Sequence, residues 1–200
     1  MRKSKIDIDV ISFSMAVIIV MSLFVLVSGH IRAEEPDNQP LIITNSKNVF
    51  VLSLDSCITH LYKTLPIEKQ IPKELVIAQA AIETGWGKSR FANEGNNLFG
   101  IRTWNQDEKH LLPIPWTKWS GWGLKVFETK CDSVADYVRI INEVSAYAEF
   151  RELRQDQLDN GLEPDGLILA RTLKGYATES HYTDLIEDVI QYNIRGIYKL

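Results

Sequence analysis

Helical spacing of apolar residues runs along most of this 200-residue chain and breaks off between Asn96 and Phe127, and that interruption constrains the fold more than any other feature. Before it, Val49, Leu52, Cys57, Leu61 and Leu65, with Ile58 and Tyr62 alongside, describe a helix closed by Pro66. A second helix opens at Pro72 and runs through Ile82 to a stop at Gly85 and Gly87. After it, helical spacing returns over 133–144, 147–158, 167–173 and 182–192. The interrupted stretch carries Leu98, Phe99, Ile101, Trp104, Leu111, Ile114, Trp116, Trp119, Trp122, Val126 and Phe127 among glycines and prolines, without a helical period. A helical body with a short β-hairpin lobe and a loop over a cleft follows, so the expected class is α+β, mainly α. No internal repeat is visible.

The N-terminus is of another kind. Arg2, Lys3 and Lys5 precede Val10–Val27, a run of 18 residues without a charge. That pattern directs export, with the basic flank left on the cytoplasmic side. Small residues at Gly29 and Ala33 suit cleavage of a signal peptide, while the length of the run suits a retained anchor, and both outcomes stay open. The expected organisation is an export segment over 1–33, a polar linker over 34–47 and a catalytic domain over 48–200. Localisation is then periplasmic, or at the inner membrane facing the periplasm, with membrane contact through the N-terminal segment if it is uncleaved.

Residues 34–200 hold 18 Lys and Arg against 24 Asp and Glu, a formal charge of −6, which speaks against nucleic acid as a partner. Cys57 and Cys131 would meet an oxidising compartment after export, as a disulfide or as two buried thiols. Neither they nor the histidines show a metal-ligand spacing, so no metal or other cofactor is expected. A cysteine peptidase built on Cys131 and His181 lacks any nucleophile motif around the thiol.

Glu83 is the residue on which chemistry is expected. It ends the helix ELVIAQAAIETGWG and shares a face with Val76, Gln79 and Ala80. Apolar neighbours and the negative end of the helix dipole both favour the protonated carboxyl, which can donate to a departing sugar oxygen. A surface glutamate paired with Lys88 is the plain alternative. All five tryptophans, Trp86, Trp104, Trp116, Trp119 and Trp122, follow this acid, and indole faces stack on sugar rings. A tryptophan-rich core for the hairpin is the competing explanation.

The segments IAQAAIETGWGKSRFA, NNLFGIR and GYATESHYTDLI, in this order, resemble the glucosaminidase domain of glycoside hydrolase family 73, the FlgJ-type and Bax-like peptidoglycan hydrolases. NEVSAYAEFRELR is most similar to the Bax-like branch. The resemblance spans about residues 70–195 by motif order. It implies a lysozyme-like domain, endo-β-N-acetylglucosaminidase activity of the mannosyl-glycoprotein type acting on bacterial wall, and Glu83 as catalytic acid. It also implies Asn97 and Phe99 at the sugar site, Tyr176 near the acid, and Tyr182 as the second aromatic of its motif. Relatives often carry a second carboxylate in the β lobe, for which Glu108 is the nominal choice beside Asp107 and Glu128. Where relatives read YATDP this chain reads YATES, which leaves the shape of that loop open.

The resulting expectation is a monomeric peptidoglycan hydrolase. Glu83 protonates an N-acetylglucosaminyl bond oxygen, and either a second carboxylate or the substrate's own 2-acetamido group assists, with Tyr176 stabilising the oxocarbenium-like state. Trp86, Asn97, Phe99, Trp104, Trp119 and Tyr182 are expected to bind the glycan strand. Two alternatives stand beside it: a lytic transglycosylase on a lysozyme-like fold, and a noncatalytic peptidoglycan-binding module.

Overall fold

The structure, a computed structural model, describes residues 39–115, 117–173 and 181–197. Helix α1, Lys47–Tyr62, is capped by Ser46, whose side chain accepts from the Val49 amide. It buries Phe50, Val51, Leu54, Cys57 and Ile58. Leu52, counted with that face in the sequence, points to solvent at 53% exposure, because the buried stripe passes through Val51 and Leu54 to either side of it. Helix α2, Lys73–Thr84, starts just after Pro72, which takes an extended conformation and serves as N-cap instead of the first helical residue. Leu75 to Ala81 are all buried, so α2 is the central helix of the body. It stops at Gly85, whose φ of +58° is the left-handed conformation that glycine adopts without a Cβ penalty.

A short helix α3, Arg90–Glu94, capped by Ser89, was not expected from spacing, since one turn carries no period. Helix α4, Lys130–Glu143, begins three residues before the expected Ser133. Thr129 and Asp132 form a reciprocal capping box there. After a 3₁₀ turn at Ser145–Tyr147 come α5, Ala148–Asp159, and α6, Gly166–Ala170. Helix α7, Tyr182–Asp188, continues into a π-helical segment, Val189–Ile194. Helices α1, α6 and α7 and the π-helical segment pack around α2.

The lobe between the helices is a three-stranded antiparallel sheet and not a single hairpin. Strands β1, Arg102–Thr103, β2, His110–Leu111, and β3, Gly123–Lys125, stand in the order β1-β3-β2. The registers pair Arg102 with Leu124 and Leu111 with Leu124. Gly123 lets the His110 side chain of β2 approach β3 closely, since a Cβ there would come within 2.8 Å of the His110 ring. Only a glycine lets β2 lie this close.

Residues 39–46, the described part of the expected linker, belong to the folded body. Ile42 joins the core, the Thr129 hydroxyl donates to Gln39 at 3.0 Å, and the Ile43 amide donates to Ser53 at 3.0 Å. Among the described residues the folded body thus includes 39–46. Of the two cysteine alternatives the structure holds the bridge: Cys57 of α1 and Cys131 of α4, both buried, are joined with Cα atoms 5.9 Å apart.

Candidate active site

The last turn of α2, the β lobe, α4 and α7 enclose a cleft of about 1170 Å³. Glu83 lines it, as do Phe99, Arg102, Trp104, Glu108, Trp122, Lys125, Asp136, Tyr137, Arg139, Tyr147 and Tyr182. The turn after Glu83 explains how the acid is presented. Gly85, Trp86 and Gly87 have φ of +58°, +65° and +76°, so the chain reverses sharply away from the helix axis. The Gly87 amide donates to the Thr84 hydroxyl at 2.7 Å, and a Cβ on Gly87 would lie 2.4 Å from a Thr44 methyl. Glu83 is thereby left at the helix end, its carboxyl open to the cleft.

A directional hydrogen-bond chain reaches that carboxyl from the core. The Tyr137 hydroxyl donates to Gln79 Oε1, Gln79 Nε2 donates to Tyr182 Oη at 3.1 Å, and Tyr182 Oη donates to Glu83 Oε1 at 3.3 Å. Gln79 is fully buried, so its amide has no water to turn to and this order is held. Although the Glu83 side chain touches solvent, the surrounding cleft walls displace enough water to raise its pKa above the ordinary glutamate range. The Tyr182 hydroxyl, which favours the ionised form, draws it part of the way back. The alternative pairing with Lys88 is not formed: among the described residues Glu83 has no ion pair.

Glu108 lies in the same cleft under the opposite influence. Hydrogen bonds from Thr103 and from Lys125 hold its carboxyl below the ordinary range, against partial burial and the Asp136 charge. Lys125 bridges Glu108 at 3.3 Å and Asp136 at 3.2 Å. Burial works to lower the Lys125 pKa, but the two carboxylates outweigh it and hold the ammonium charged. Asp136 also takes Arg139 at 2.7 Å. The cleft thus holds one carboxyl inclined to keep its proton and one inclined to lose it, the division of labour that acid–base chemistry on a glycosidic bond needs.

The structure gathers Glu83, Glu108, Phe99, Trp104 and Tyr182 into the cleft and leaves three other expected binders outside its lining. Trp86 packs edge-on against Phe50 with the Lys47 ammonium 4.6 Å above its ring, carried there by the turn that presents Glu83. Trp119 stacks its edge on His110 at 4.6 Å within the lobe. Asn97 is buried beneath the sheet: its amide donates to the carbonyls of Ile101 at 2.8 Å and Lys125 at 2.9 Å, and its oxygen accepts from the amides of Phe99 and Ile101. It shapes the lobe from below. Tyr176 and Trp116 lie outside the described residues.

Asp136, Tyr137 and Arg139 on α4 and Tyr147 were not singled out from the sequence, and Trp122, named there among the five indoles, lines the cleft. Tyr137 lies three residues from the core position Val134, a spacing that marks it as inward-facing, and it stacks on Phe99 at 4.2 Å. Nothing in the spacing of Asp136 distinguishes it from a solvated helix charge.

Comparison with known proteins identifies the family and the fold. The family model described as mannosyl-glycoprotein endo-beta-N-acetylglucosaminidase, the glucosaminidase domain, matches residues 59–195. The chain is 32% identical to "Protein bax" of Escherichia coli strain K12 over 133 residues, 64% of this chain and 44% of that protein. It is 29% identical to "Peptidoglycan hydrolase FlgJ" of Vibrio parahaemolyticus over 161 residues, 74% of this chain and 47% of that one. The chain thus spans less than half the length of these curated relatives. Among solved structures, the peptidoglycan hydrolase of Sphingomonas sp. A1 superposes with a TM-score of 0.53 at 26% identity, covering 72% of this chain and 87% of that one. On the match over residues 59–195, and on a helical body that presents an acidic residue to a cleft beside a small sheet, the chain belongs to the glucosaminidase family.

Proposed function

We propose that this chain is an exported peptidoglycan hydrolase that cleaves N-acetylglucosaminyl bonds within glycan strands, with Glu83 as general acid. The observation that carries this is the environment of Glu83: a carboxyl open to a large cleft, raised in pKa by desolvation and oriented by Tyr182. In this reading Glu83 gives its proton to the bridging oxygen as the bond to the anomeric carbon breaks. Glu108, already ionised, stabilises the oxocarbenium-like state or activates water. Tyr176 belongs to the same reading through its motif. Trp104 and Trp122 offer apolar surface to the sugar faces, with Phe99 buried against Tyr137.

The domain is read as lysozyme-like, the sheet supplying one wall and α2 the acid. Export through residues 1–33, whether as signal peptide or anchor, agrees with a Cys57–Cys131 bridge, which persists in oxidising compartments. The chain is read as acting as a monomer.

The test is digestion of purified peptidoglycan with the full chain, followed by mass spectrometry of borohydride-reduced products. New N-acetylglucosamine reducing ends inside strands are expected. Anhydro-muramyl ends would assign a lytic transglycosylase, and binding to the wall without new ends would assign a noncatalytic module.

A further inference from the structure

Among the described residues three cations line the cleft, and two of them are neutralised inside the protein. Lys125 sits between Glu108 and Asp136, and Arg139 between Asp136 and Glu143. The third, Arg102, stands on the exposed face of β1 and, among the described residues, has no carboxylate within ion-pair distance. Its guanidinium carbon lies 4.0 Å from the centre of the Trp122 ring. A guanidinium laid on an indole is held by its face and keeps its edge N–H groups for a planar anion. Trp104, two residues on, lines the same cleft and is 71% exposed.

We propose that Arg102 is a carboxylate-recognition site of the substrate cleft, reading a carboxylate borne by the glycan strand next to the sugars that pack on Trp104 and Trp122. This rests on the peptidoglycan reading above. Such strands carry carboxylates from two sources, the lactyl ether of the muramic sugar where no peptide is attached and the peptide where one is. The chain itself is acidic, with a formal charge of −4, and the Glu108 and Asp136 carboxylates of its cleft are already paired with Lys125 and Arg139. A polyanionic strand entering it meets like charge, which an unneutralised guanidinium offsets locally. A carboxylate accepted edge-on by Arg102 also fixes the strand's register, so the site distinguishes wall glycan from a neutral polymer of the same sugars.

The test is calorimetric binding of the full chain, as wild type, Arg102→Met and Arg102→Lys, to three probes. These are peptide-bearing glycan strands, strands stripped of peptide by an amidase, and neutral N-acetylglucosamine oligomers. Arg102→Met is expected to bind carboxylate-bearing strands about tenfold more weakly, with a deficit that fades as salt is raised, and to bind the neutral oligomers as wild type does. Arg102→Lys should retain part of the difference, having the charge without the planar fork. Loss confined to peptide-bearing strands assigns the peptide carboxylate, and loss confined to stripped strands assigns the lactyl group. Equal loss on all three probes would make Arg102 a prop for Trp122 and overturn the proposal, as would no loss on any. Binding requires no turnover, so a wild type that binds strands but cuts none would sink the hydrolase reading and leave the role of Arg102 standing.

Discussion

Glu83 is held where a glutamate is poorly solvated, and the same position gives it its expected role. In Glu83→Gln the size is kept and the acid is lost, so the rate on glycan strands should fall at least about a hundredfold with the fold intact, measured as released reducing ends. Stability should move the other way. A folded pKa above the unfolded value means that the folded chain binds this proton more tightly, so its stabilising effect is present at low pH and is lost as pH rises through the folded pKa. Glutamine does not titrate. The melting temperature of Glu83→Gln relative to wild type should therefore climb with pH from mildly acid toward neutral, and a gap that narrows instead would contradict the assigned environment. Glu83 was legible in the sequence because helix periodicity puts Val76, Gln79 and Ala80 beneath it and the glycines end the helix there. Trp86 was misplaced for a related reason: adjacency in sequence suggested the groove, but the left-handed turn carries the indole to α1.

The sheet wall of the cleft depends on one buried side chain from outside it. Asn97 satisfies two carbonyls and two amides of the segments that bear Ile101 and Lys125, at 1% exposure. Asn97→Ala leaves those backbone groups unpaired and should cost about 1–3 kcal/mol in denaturant unfolding. Because Lys125 fixes Glu108 and Asp136, activity should fall as well, whereas an unchanged stability would return Asn97 to the list of sugar ligands. The long helices were legible from apolar spacing, and their ends moved by a few residues where caps decide. Thr129 with Asp132 advances α4, and Pro72 delays α2. The lobe was legible as non-helical but not in its strand order. Strands of two or three residues are too short for a period, and the pairing rests on Gly123 and on contacts from Asn97 that spacing does not encode.

At the scale of the molecule, Cys57–Cys131 closes a loop with a sequence separation of 74 residues and ties α1 to the helix that brings Asp136, Tyr137 and Arg139 to the cleft. By loop-closure entropy the bridge should stabilise the chain by about 4 kcal/mol, read as the difference in unfolding free energy between the wild type and Cys57→Ser/Cys131→Ser. A difference near zero would mean that the helical body holds without it. That body, the lobe and the hydrogen-bond chain from Tyr137 through Gln79 and Tyr182 converge on one quantity, the proton affinity of the Glu83 carboxyl. The direct measurement is a ¹³C titration of that carboxyl in the folded chain, assigned by its loss in Glu83→Gln and set beside the pH dependence of kcat/KM on glycan strands. The carboxyl is expected to titrate above the ordinary glutamate value, coincident with the fall of kcat/KM on the alkaline side. A carboxyl that titrates at or below that value, or a rate that persists unchanged after it has ionised, would contradict Glu83 as the general acid.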